Sequence, residues 1–181
     1  MNESKPAPLL DKDLVSPMTP EALMAENETL RQALERGDIA TFSLWLQKGE
    51  MANESDPVEH ANLLVRAAHI MQSVNETGGA VQLLQRAARL AKGKDADAEA
   101  MIVTYLEQLG GEKAVQELAD AMKREAQDAI GKRNVEVQRE LIALQEYGSE
   151  SAKKYTPEEL KARIAALKKE LQDLVNRKAK L

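Results

Sequence analysis

Apolar residues recur along this chain at intervals of three and four, and no stretch alternates apolar and polar positions for six residues in a row. That spacing is the mark of helices that hide one face, and it leaves no strand pattern from which to build a sheet. Val, Ile and Thr are sparse beside Ala and Leu, which points the same way. Proline and glycine cut the pattern into pieces. Residues 1–18 contain Pro6, Pro8 and Pro17 and predict an extended arm. Thr19-Pro20-Glu21 opens a helix that should reach about Arg36 and stop at Gly37. Asp38 then caps a short helix carrying Phe42 and Trp45, which should stop at Gly49. Asp56-Pro57-Val58-Glu59 starts a helix to about Val74, and Gly78-Gly79 precedes another that ends near Gly93. Asp95 or Asp97 opens the next, which ends at Gly110-Gly111. A long helix follows from about Glu112 to about Tyr147, with a bend at Gly131. Thr156-Pro157-Glu158-Glu159 begins the last helix, which runs nearly to Leu181.

The predicted fold is therefore all-α, with seven or eight helices: an arm over 1–18, a compact helical core over 19–110, and a long C-terminal antiparallel helical hairpin over 111–181. The helices over 57–74, 80–91 and 98–109 are apolar on more than one face and should form the centre of the core. The last helix has the sharpest pattern. Leu160, Ile164, Leu167, Leu171 and Leu174 follow the 4, 3 spacing of a coiled-coil seam, and Lys178 and Leu181 continue it. Val137, Leu141 and Leu144 repeat that spacing on the long helix. The two seams could close on each other within the chain, or the last helix could pair with a second copy.

Composition narrows the chemistry. The 181 residues contain no Cys, which removes disulfides, thiolate nucleophiles and Cys-type metal sites together. The two histidines, His60 and His69, are nine apart and so do not share a helix face. Neither has Glu three positions before it, as a ferritin-type metal helix requires. Asp95, Asp97 and Glu99 have the spacing that opens a calcium loop, but Ala100 and Leu106 stand where its glycine and its last carboxylate belong. No phosphate loop, dinucleotide fingerprint or nucleophile elbow is present. We expect no enzyme, no catalytic residue, no metal, no cofactor and no small-molecule substrate. The start of the chain has no apolar signal segment, and no run is long enough to span a membrane. The expected location is the cytoplasm, or a virion assembled there. Asn-Glu-Ser/Thr triplets at Asn2, Asn27, Asn53 and Asn75 then read as helix-end and surface chemistry rather than glycan acceptors.

Charge is unevenly divided. Residues 151–181 hold nine cations and four acids, a balance of +5 in a chain whose total is −5. Lys161, Arg163, Lys168, Lys169, Arg177 and Lys178 make the last helix basic. Such a helix can be a solvated face whose lysine stems shield the seam, a docking face for an acidic protein, or a nucleic-acid contact. Nucleic acid is the weakest of the three, because no aromatic residue follows Tyr155 to stack on bases. Phe42 and Trp45, the only Phe and Trp, could anchor a partner or pack against Leu30 and Leu34 of the first helix.

Two short resemblances bear on function. Ala80-Val81-Gln82…Leu84…Ala87 recurs 34 residues later as Ala114-Val115-Gln116…Leu118…Ala121, each after a Gly-Gly pair. This resembles the second helix of a tetratricopeptide repeat, and Tyr105 stands where that family's first helix carries a tyrosine. The family's proline and tryptophan are missing. Leu30…Ala33…Gly37…Leu46…Gly49…Asn53 is similar in spacing to one ankyrin repeat, which the next 33 residues do not continue. Either resemblance implies a helical-repeat adaptor or chaperone that holds a peptide. The layout of arm, acidic body and basic coiled end resembles viral scaffolding and virion accessory proteins. The leading expectation is thus a non-enzymatic assembly or scaffold protein that works through protein–protein contacts or self-association. The peptide-binding adaptor and the nucleic-acid accessory remain alternatives.

Overall fold

The computed structural model describes residues 19–146 and 149–181. The expected arm over 1–18 lies outside them. The described residues form six α-helices and a short 3-10 turn, with no strand among them. The helices are α1 (Pro20–Glu35), α2 (Ile39–Ala52), α3 (Pro57–Ser73), α4 (Thr77–Ala91), α5 (Ala96–Gln145) and α6 (Pro157–Lys180). The class is all-α. The chain divides into two units, one through Gly111 and one over Glu112–Leu181.

Local chemistry accounts for the helix starts. Thr19 accepts from the Ala22 amide and Asp38 from Thr41, while Asp56 accepts from Val58 and Glu59, so each occupies amides that the first turn leaves without a carbonyl. Thr156 and Glu159 complete a reciprocal capping box at the start of α6. Three of the glycine expectations differ: a stop at Gly49, a helix start after Gly78-Gly79, and a bend at Gly131. Gly49 does not end α2, which continues to Ala52. A Cβ at Gly49 would stand 2.6 Å from Cδ2 of Leu63, so this glycine serves close packing of α2 on α3. Gly78 and Gly79 lie inside the first turn of α4, and the left-handed residue before that helix is Asn75 (φ 66°). Gly131 keeps helical backbone angles. The one break within α5 is at Gly111 (φ 70°, ψ −179°), which leaves Ala96–Gly110 in the first unit.

In the first unit α3 and α4 form the closest helix pair. Ala61, Ala67 and Ala68 of α3 and Ala80, Ala87 and Ala88 of α4 are wholly buried, and such small side chains bring two helix backbones near each other. Leu64, Leu84, Ile102 and Leu106 fill the space around them. In the second unit Val137, Leu144, Leu167 and Leu174 form a buried cluster. Ile130, Leu141, Leu160, Ile164 and Leu171 pack against it. Among the described residues no helix is long and apolar enough to cross a membrane.

Candidate interaction surfaces

All eight residues of the expected seam meet in that second cluster, so the leucine strip of α6 has its mate within the chain. Two ion pairs give the direction. Arg133 Nε donates to Glu170 Oε1 at 2.7 Å, and seven residues further along α5, Glu140 accepts from Arg163, seven residues earlier in α6. One index rises as the other falls, so these stretches of α5 and α6 run in opposite directions. Both pairs flank the seam on the same side. The Arg133 guanidinium, aided by Arg163 and Arg177 further off, holds the Glu170 carboxyl below its ordinary value. Glu170 in turn raises Arg133, with a second contribution from Glu136 at 3.2 Å.

The six basic residues of α6 expected to form a docking face do not form one surface. Arg163 is taken up by Glu140. Lys161 and Lys168 are seven apart and lie on the flank opposite Arg163 and Glu170. Lys169 lies on the outer back of the helix, and Arg177 adds to the field at Glu170. Lys178 continues the seam and lines a cleft with Ile130, Gly131, Asn134, Leu174 and Val175.

The aromatic pair is occupied within the first unit. Phe42 is buried, and its ring centroid lies 5.7 Å from that of Trp45. The guanidinium of Arg66 sits 5.1 Å over the Trp45 ring while it also bonds Glu26 and Asn27 of α1. One arginine of α3 thereby ties α1 and α2 together. Asn27 therefore works from the middle of α1, whereas Asn53 and Asn75 do stand at helix ends.

The histidines separate. The His60 ring is mostly buried, with Nε2 3.7 Å from a Glu50 oxygen that Arg86 also engages. His69 is exposed and stacks on Tyr105 at 4.4 Å between centroids. The Tyr105 hydroxyl donates to Gln72 Oε1 at 2.5 Å, so its 2.9 Å contact with His69 Nδ1 requires that nitrogen to carry the proton and donate. Sequence reading missed this cluster, since its members are 33 and 36 residues apart. The repeat-like position of Tyr105 was the one signal that pointed toward it. Among the described residues no group of three or more His, Asp or Glu side chains could hold a metal ion. In comparison with known proteins, no family model, no curated protein and no solved structure matches this chain.

Proposed function

We propose that this chain is a non-enzymatic assembly or adaptor protein that presents folded helix faces to other proteins. One observation carries the reading. The leucine seam is filled from within the chain, yet Val135 and Ile142, seven apart on one side of α5, stay in solvent together with Val175. Grouped apolar residues on an otherwise charged helical surface are a feature of protein-binding faces. Two helices paired along a leucine seam would suit a scaffold, in the manner of the virion accessory proteins whose layout the sequence resembles. The proposal places the protein in the cytoplasm, or in a particle assembled there, where a chain without cysteine needs no oxidising compartment.

A second reading, the peptide-holding adaptor, draws on the first unit. Arg66 joins α3 to α1, and Tyr105 joins α5 to α3, so the first helices of successive hairpins lie side by side. Met24 (72% exposed) and Met101 (59% exposed) flank His69 on that layer, and methionine adapts to varied apolar ligands. Nucleic-acid binding has least support, because the cations of α6 are spread around the helix rather than gathered in a stripe.

The test is capture from an extract of the source cell by the intact chain and by two folded surface variants. Under the first reading Val135→Asp with Ile142→Asp loses the captured protein. Under the second, Met24→Glu with Met101→Glu loses it. A wild-type chain that captures no protein and stays a monomer removes both.

A further inference from the structure

The two flanks of the hairpin are unlike, and the difference specifies a partner. On one flank, Arg133 with Glu170 and Glu140 with Arg163 close the edge of the seam with ion pairs. On the other flank stand the residues that follow the inner seam positions. On α5 these are Gly131, Gln138 and Gln145, and on α6 they are Lys161, Lys168 and Val175. The antiparallel register puts Lys161, Lys168 and Val175 on the same flank as Gly131, Gln138 and Gln145. The cleft that holds Gly131 and Val175 together agrees with this register. A glutamine cannot neutralise a lysine, and among the described residues Lys161 and Lys168 have no ion-pair partner.

The same flank carries the apolar surface. Val135 is 46% exposed, Ile142 59% and Val175 54%. Gly131 and Lys178 border both Val175 and the depression beside Val135, so Val135 and Val175 belong to one continuous surface, and Ile142 lies seven residues further along the same side of α5. Lys132 and Arg139 add positive charge along its outer rim. The acids nearby are Asp128 and Glu136, which Arg133 already engages, with Glu125 and Glu146 at the two ends of the Lys132 and Arg139 row and Glu158 one turn from Lys161. An apolar strip between rows of cations, beside two helices, has the shape and charge to take a third helix.

We infer that the flank formed by Lys161, Lys168 and Val175 of α6, with Val135 and Ile142 of α5, docks an acidic amphipathic helix from a protein partner. The inference rests on the assembly reading and names its partner's chemistry. A second copy of this chain is the poorer occupant. A two-fold contact would set this flank against itself and bring Lys161 and Lys168 against like charges.

The probe is a synthetic helix with Leu at its seam positions and Glu at the flanking ones, whose own charge repulsion opposes self-pairing. A control peptide has Lys in place of each Glu. Both are titrated against the full chain by fluorescence anisotropy at two salt concentrations. The Glu peptide should bind at least tenfold more tightly than the Lys peptide, and more weakly as salt rises. Val135→Asp with Ile142→Asp should weaken it at least tenfold, and Lys161→Glu with Lys168→Glu should reverse the preference between the peptides. Circular dichroism checks that each variant keeps its helix content. Absence of Glu-peptide binding overturns the inference, as does equal binding of both peptides or indifference to the variants. So does a concentration-dependent dimer that Val135→Asp with Ile142→Asp abolishes, which assigns the flank to a second copy. If the peptide fails while the intact chain still captures a protein that Val135→Asp with Ile142→Asp releases, the flank inference falls and the assembly reading stands; capture lost only in Met24→Glu with Met101→Glu leaves the adaptor reading instead.

Discussion

Glu28 accepts hydrogen bonds from Arg31 and Gln32 on the surface of α1, and these hold its carboxyl at about 2 instead of the ordinary 4.5. Asp38 is lowered by the Thr41 hydroxyl and amide, Glu159 by the amide and hydroxyl of Thr156, and Glu170 by Arg133. Each group is more acidic folded than unfolded. Its contribution is therefore complete above the unfolded value and disappears as pH falls through the folded one. We expect the thermal midpoint to drop on acidification from about pH 4.5 toward 2, and Glu28→Gln with Glu170→Gln to flatten that part of the profile. A profile unchanged by the two substitutions contradicts the assignment. Two glycines make an opposed pair at the same scale. Gly131 is helical with open space where a Cβ would go, so Gly131→Ala should stabilise the chain by about 0.5–1 kcal/mol. Gly49 has Leu63 in that space, and Gly49→Ala should lower stability by about 1 kcal/mol, since overpacking outweighs the gain in helix propensity. Urea melts of the two variants measure both.

Leu167 is fully buried where α6 meets α5. Leu167→Ala should cost about 2–5 kcal/mol, whereas the same change at half-buried Leu160 should cost less. Because the seam is closed within the chain, the damage should appear as lost helix stability in a denaturant melt rather than as a lost oligomer. The ion-pair flank gives a matching test of register. Arg133→Glu should weaken the hairpin, and Arg133→Glu combined with Glu170→Arg should restore it, as read from melts at low salt. Helix starts were plain in the sequence, since Thr19, Asp38, Asp56 and Thr156 cap by local hydrogen bonds that need no distant partner. Helix stops at Gly37 and Gly93 were equally plain, as both take left-handed backbone. Gly49 and the Gly78-Gly79 pair misled, because a glycine chosen for a close neighbour looks the same in sequence as one chosen for a turn.

For the whole molecule, the closed seam predicts that the chain alone scatters light as a single 20.0 kDa species, and a seam-mediated dimer would contradict it. The 4, 3 leucine spacing was enough to locate both sides of that seam. It could not reveal that one flank is neutralised and the other left basic, since this depends on which residues the antiparallel register sets opposite one another. The Tyr105, His69 and Gln72 cluster was equally hidden, because the packing of α5 on α3 decides which side chains meet. The wholly buried alanines of the closely packed α3 and α4 have a consequence of their own. Alanine has almost nothing left to trim, so nearly every replacement there inserts atoms where none fit and pries the two backbones apart. The leucine hairpin has the reverse weakness and suffers chiefly from holes. Random mutation would thus wear down the two halves by opposite routes, one by wedging and the other by hollowing, and a compensating change that rescues one would harm the other.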